Sequence, residues 1–239
     1  MNRDRIYHQP LDRIADFSFD EKVVAVFPDM IQRSVPGYST IIAMTGILAA
    51  RYAQPDTRIY DLGCSLGASL FSIQENLPPG KNISLVGVDN SPAMVERCRS
   101  IAPGLPHIHL LCQDIENTVI ENASVVVMNF SLQFIPIEKR ESILQSIARG
   151  LCPGGILVLS EKIRFEDEHL DQLNIDLHHA FKKANGYSDL EISQKRNALE
   201  KVLLPETLRT HQQRIRDAGF KRCDTWFQCF NFASLVAIK

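Results

Sequence analysis

Five short apolar runs, each followed by a stretch of helical character, constrain this chain more than any other feature. Residues 58–62 (RIYDL), 83–89 (ISLVGVD), 107–112 (HIHLLC), 124–130 (SVVVMNF) and 155–160 (GILVLS) are rich in Val, Ile and Leu. Continuous runs of this kind read as strands buried on both faces of a parallel sheet. Helical patterns lie between them. Residues 66–77 follow the first run. Residues 91–101 open with Ser91-Pro92, an N-cap followed by proline at the first helical position. Residues 137–151 carry Ile143, Leu144, Ile147 and Leu151 at helical spacing. Strand-helix alternation predicts crossover units on a doubly wound α/β sheet, a Rossmann-like architecture.

Two regions fall outside the alternation. Residues 1–56 read as mostly helical, with a Pro-Gly break at 36–37. Residues 166–218 read as three helices broken near Gly186 and Pro205. Both are expected to cap the carboxyl edge of the sheet, where open α/β folds bind ligands. The tail, 222–238, holds Trp226, Phe227, Phe230, Phe232 and Val236 and predicts two strands joined by a tight turn at the sheet edge. The expected organisation is one domain over 1–239 with two helical cap regions.

Composition excludes several function classes. The formal net charge is -2, and the basic residues occur as scattered pairs: Lys182 with Lys183, Lys195 with Arg196, Lys221 with Arg222. Nucleic-acid binding normally needs a basic excess or stripe, so no direct nucleic-acid contact is expected. The pairs at 182–183 and 221–222 read as solvated ends of elements. The six cysteines form no C-x-x-C pair, which predicts reduced, mostly buried thiols and no metal site. The polar opening MNRDRIYHQP lacks a secretory apolar region. The longest apolar stretch, Ile41 to Ala50, is too short to span a bilayer and reads as a buried helix. The expectation is a cytoplasmic protein with no membrane contact.

The first run leads into Asp61-Leu62-Gly63-Cys64-Ser65-Leu66-Gly67. Gly63 suits a tight strand-to-helix turn with close ligand approach, and Gly67 suits close helix-strand packing. A glycine loop alone is weak evidence, but two acids follow at matching places. Asp89 ends the second run, where a carboxylate can accept from both hydroxyls of a ribose. Asp114 lies just past the third run, placed to meet an adenine edge while Ile115 packs on the ring. Each acid could instead serve as a helix cap. A dinucleotide needs its pyrophosphate over a glycine-rich helix N-terminus. An acid and a hydroxyl at this turn suit a ligand with an amino group, a sulfonium and no phosphate, so S-adenosylmethionine fits better than NAD.

The fourth run ends Asn129-Phe130-Ser131-Leu132, without the Asn/Asp-Pro-Pro-aromatic turn of amino-group methyltransferases. Adjacent His178 and His179 would face different directions on a helix and make a poor metal pair. From spacing alone Arg196 is a solvated side chain, although its guanidinium could match a carboxylate bidentately.

Longer segments carry a resemblance. FDEKVVAVFPDMIQRSVPGY (19–38), YDLGCSLG (60–67), VDNSPAM (88–94), NASVVVMNF (122–130), LSEK (159–162), FKKANGYSDLEISQKR (181–196) and WFQCFNFASLVAIK (226–239) together resemble the carboxy-S-adenosylmethionine synthases of bacterial tRNA wobble-uridine modification. The resemblance covers the chain end to end. It implies a methyltransferase-type sheet of seven strands, order 3-2-1-4-5-7-6 with the last antiparallel, and a homodimer. It implies a transferase that turns S-adenosylmethionine and prephenate into carboxy-S-adenosylmethionine and phenylpyruvate. A downstream tRNA carboxymethyltransferase would use the product. By the same resemblance Tyr38, Gly63, Cys64, Ser65, Asp89, Asn90, Asp114, Ile115 and Asn129 line the S-adenosylmethionine site. Arg196 pairs with the carboxylate added to the methyl carbon. Two other readings use the same residues: a methyltransferase acting on a small carboxylate, and a non-catalytic S-adenosylmethionine-binding subunit of a tRNA-modifying system.

Overall fold

The computed structural model describes residues 2–101 and 107–239. Two helices come first, α1 (Glu21–Ser34) and α2 (Tyr38–Tyr52). The alternating part follows: β1 (Arg58–Leu62), α3 (Ala68–Asn76), β2 (Ser84–Asp89), α4 (Pro92–Ile101), β3 (Ile108–Cys112), β4 (Ala123–Asn129), α5 (Ile137–Gly150) and β5 (Leu151–Arg164). After it come α6 (Glu168–Ala184), α7 (Asp189–Leu199), β6 (Glu206–Thr207), α8 (Leu208–Asp217), β7 (Arg222–Cys229) and β8 (Phe232–Ile238).

The sheet runs β3-β2-β1-β4-β5-β8-β7, with β6 paired to β5 outside that path. The two-residue β6 aside, this is the order the resemblance implied. β1 to β5 are parallel, whereas β8 is antiparallel to both β5 and β7. β6 escaped prediction because Glu206-Thr207 carries no apolar run.

Successive strand residues point to opposite faces, and β4 shows the consequence. Val126 and Met128 pack in one core cluster with Leu144, Ile147 and Leu157. Val125 and Val127 pack in a second with Ile59, Leu70 and Ile73. Each fully buried aliphatic side chain contributes roughly 1.5–3 kcal/mol. Two covered faces explain why the strands read as unbroken apolar runs.

Three elements differ from expectation. Residues 2–20 form no helix; they are a strap, because they lack apolar periodicity. Asp4 N–H donates to Asp29 Oδ2 (2.7 Å), Gln194 Nε2 donates to the Tyr7 and Gln9 carbonyls (2.9 and 2.8 Å), and Phe17 N–H donates to the Ala198 carbonyl (2.9 Å). α2 buries Ile41, Thr45, Gly46 and Ala49 but leaves Met44 and Ile47 exposed. α8 lies against α5 and β7, with Ile215 in the core, and does not cap the carboxyl edge. The six cysteines are free thiols, but against expectation only Cys64 and Cys98 are buried; Cys152, Cys223 and Cys229 are half-buried and Cys112 is exposed, because they lie at the ends or on the outer strand of the sheet.

Candidate active site

The β1–α3 turn sets the geometry. Gly63 has φ 84° and Gly67 has φ 83°, both in the left-handed region. A Cβ on Gly63 would lie 2.1 Å from Ser131 Oγ, so this turn also requires close approach to the end of β4. Ser65 adopts φ 47°, a conformation in which a side chain costs energy. Asp89 holds it there: its Oδ2 accepts from Ser65 N–H (2.9 Å) while its Oδ1 accepts from Ser91 N–H (2.9 Å). Ser91 Oγ, not Asp89, caps α4 by accepting from Met94 N–H (3.2 Å). Asp89 therefore ties the glycine loop to the start of α4 and faces the cavity beside it.

Asp61 is left unsatisfied at the cavity. Its side chain is 2 % exposed, and Oδ2 has no hydrogen-bond partner. Burial, with the charge of Asp89 adding to it, pushes the carboxyl up to about 7. A cationic ligand group would relieve both penalties. Asn90 Nδ2 donates to Asp114 Oδ1 (2.9 Å), fixing the acid beyond β3. Asn129 is committed within the protein: Nδ2 donates to Ser69 Oγ (3.0 Å), and Oδ1 accepts from Ser160 Oγ (2.7 Å).

These residues face one cavity of about 420 Å³. Tyr38, Gly63, Cys64, Ser65, Asp89, Asn90, Asp114, Ile115 and Asn129 all line it, as does Asp61. Burial and the neighbouring Asp61 push the Tyr38 hydroxyl far above its ordinary value, so it is a neutral donor. The far wall is basic. Lys162 from β5, Lys182 from α6 and Lys195 from α7 line it together with His178.

A family model described as a methyltransferase domain matches residues 59–155. Relatives match the whole chain. A carboxy-S-adenosyl-L-methionine synthase of Trichlorobacter lovleyi is 59% identical over 99% of this chain and 98% of its own length. This chain belongs to the carboxy-S-adenosyl-L-methionine synthase family. A synthase of Haemophilus ducreyi is 54% identical over 100% of this chain and 99% of its own. Among solved structures, human N-acetylserotonin methyltransferase in complex with S-adenosylmethionine superimposes with a TM-score of 0.60 at 15% identity. The match covers 92% of this chain and 55% of the human one, a likeness of fold alone. The chain is thus a carboxy-S-adenosylmethionine-forming transferase. S-adenosylmethionine is its substrate and carboxy-S-adenosylmethionine its product.

Against that activity, the lysine wall is the feature sequence reading missed. Lys182 was expected to be solvated, yet it is 8 % exposed. It lies one helical turn after His178 on the inner face of α6, and that spacing was the available signal. Its neighbour Lys183 points outward and pairs with Asp189. Desolvation, with Lys195 and Lys162 adding repulsion, pulls Lys182 down to about 7. Desolvation likewise pulls Lys195 down to about 8, against the opposing charge of Asp4 at 3.7 Å. His178 is neutral: burial and the lysines depress it, and its Nε2–H donates to the Ser34 carbonyl (2.8 Å).

Arg196 stands apart. α7 turns Ile192, Lys195 and Ala198 inward, so the next residue, Arg196, projects outward and is exposed. It does not line the cavity, but its charge is near enough to lower Lys162 and His179. Among the described residues, no group of three or more His, Cys, Asp or Glu side chains is placed to hold a metal ion. No described helix is long and apolar enough to cross a membrane.

Proposed function

We propose that prephenate supplies the carboxyl group. The observation that carries this reading is the polarity of the cavity, with acids at the ends of β1 and β2 and lysines on β5, α6 and α7. One end suits the cationic S-adenosylmethionine, and the other suits an organic anion. Asp89 would hold the ribose hydroxyls, Asp114 and Ile115 the adenine, and Tyr38, Gly63, Cys64, Ser65, Asn90 and Asn129 the rest of the ligand. Arg196, exposed on α7 and outside the lining, would pair with the carboxylate added to the methyl carbon.

The reaction balances without a protein base. The ring carbon–carboxylate bond of prephenate breaks, carbon dioxide leaves, and the electron pair aromatises the ring as hydroxide departs. Hydroxide removes a proton from the sulfonium methyl, giving water and a sulfur-stabilised ylide. The ylide carbon attacks carbon dioxide, forming the new carboxylate and leaving phenylpyruvate. The protein holds the partners together and keeps bulk water from the ylide. The apolar lining from Phe17, Phe19, Phe27 and Phe134 suits that exclusion.

In this reading the chain is one domain and works as a cytoplasmic homodimer. It does not bind tRNA; its product passes to a separate tRNA carboxymethyltransferase that builds the 5-oxyacetyl group on the wobble uridine. Turnover tests the reading. S-adenosylmethionine and prephenate incubated with the purified chain should yield phenylpyruvate and a sulfonium product heavier by one carboxyl group. Failure to consume prephenate would exclude it as donor.

A further inference from the structure

Among the described residues, two ammonium groups lining the cavity have no carboxylate within ion-pair distance; Asp171 and Asp4 act on Lys162 and Lys182 only from farther away. Lys195 is answered by Asp4 and also donates to Ser34 Oγ (3.1 Å). Among the described residues, the Lys182 and Lys162 side chains make no hydrogen bond and no ion pair, although both line the cavity. Lys162 lies close enough to depress the protonation of Lys182, and both lysines depress that of His178. Neutral His178, four residues before Lys182, offers no charge to compensate. Burying an unpaired cation is costly unless something anionic arrives.

We propose that Lys162 and Lys182 form an anion subsite that holds the carboxylate the carboxyl donor keeps through the reaction. Position supports this. Lys162 is on β5, two strands from β1 and three from β2. Strands are about 4.8 Å apart, so the subsite lies roughly 10–15 Å from the Asp61 and Asp89 end. That leaves room for the sulfonium methyl between the two.

Charge bookkeeping selects which carboxylate. A carboxylate leaving as carbon dioxide loses its charge in the transition state. A cation paired with it would stabilise the ground state more and slow the step. A carboxylate retained in the product keeps its charge throughout, so cations can hold it without penalty. The donor class is therefore an acid with two carboxylates, one departing and one gripped by the lysines. Prephenate, on the reading above, is such an acid, and phenylpyruvate keeps the gripped group.

Phenylpyruvate is the probe, because its binding requires no turnover. Calorimetric titration into the S-adenosylmethionine-loaded enzyme should show binding to the wild type. Lys182→Gln, Lys182→Met and Lys162→Gln should bind it more weakly, on the order of 10- to 100-fold. S-adenosylmethionine affinity should be unchanged in all three, which also reports an intact fold. Removing a buried unpaired charge carries little folding cost, and Lys182→Met keeps the apolar stem. Equal phenylpyruvate affinity in wild type and variants, no binding to the wild type, or parallel loss of S-adenosylmethionine would overturn the subsite. Prephenate turnover by the wild type is scored separately. Lysine-dependent phenylpyruvate binding without prephenate turnover would sink the donor assignment and leave the subsite standing. Turnover with an unchanged prephenate KM in the variants would do the reverse.

Discussion

Asp61 and Asp89 stand at the carboxyl ends of the adjacent parallel strands β1 and β2, and the charge of Asp89 adds to burial in holding the Asp61 carboxyl near 7. One acid is bonded to two backbone N–H groups, whereas the other keeps an oxygen without a partner. The pair thus leaves one unsatisfied acid oxygen at the cavity, a position that suits a cation.

The first prediction concerns pH. A cationic ligand favours ionised Asp61, which in the free protein titrates near 7. Above that value the carboxylate is already charged, and S-adenosylmethionine affinity should be flat. Below it a proton must be displaced, so affinity should fall by up to about tenfold per pH unit. Titrations on both sides of neutrality check the slope. Asp61→Asn should weaken binding and remove this dependence; a slope that survives the substitution would assign it to another group.

Asp89→Ala should weaken S-adenosylmethionine binding on the order of 10- to 100-fold, the loss expected for hydrogen bonds to a charged acceptor. It should also lower stability by about 1–3 kcal/mol, because the Ser65 and Ser91 N–H groups lose their acceptor. Calorimetric titration and denaturant unfolding measure the two effects. Wild-type affinity would remove Asp89 from the ligand site.

Glycines with similar backbone angles should differ sharply. Gly63 and Gly154 both have positive φ, at 84° and 75°. An added Cβ at Gly154 meets nothing within 4 Å, whereas at Gly63 it meets Ser131 Oγ at 2.1 Å. Gly154→Ala should cost about 1 kcal/mol of backbone strain. Gly63→Ala adds a clash and should cost several times more, or abolish ligand binding by opening the turn. Paired thermal melts and ligand titrations distinguish them.

Arg196→Ala should weaken carboxy-S-adenosylmethionine more than S-adenosylmethionine, since only the former carries the added carboxylate. Arg196 is exposed, so the differential is expected toward the lower side of a charge-assisted bond, about tenfold. Arg196→Lys should restore part of it, keeping charge without the planar fork. Equal weakening of both ligands would end the carboxylate role.

The legible part of this protein was local. Each strand announced itself as an apolar run because both faces of the sheet are covered, as Val125 and Val126 show by packing in different clusters. Asp61, Asp89 and Asp114 could be read because each lies at or just past the end of a strand, and strand ends in this topology converge on one edge. The cap helices were legible as helices, but not by face. Lys182 and Lys183, or Lys195 and Arg196, are neighbours of the same charge in the sequence. Only packing of α6 and α7 turned the first of each pair into the cavity and the second to solvent. The lysine wall draws on β5, α6 and α7, so no spacing in the chain could reveal it. The sequence by itself determined the sheet, the turn and the acids at the strand ends, since these depend on residues next to one another. Tertiary structure alone decided which cations meet those acids across the cavity, because a helix face acquires its meaning from what it packs against.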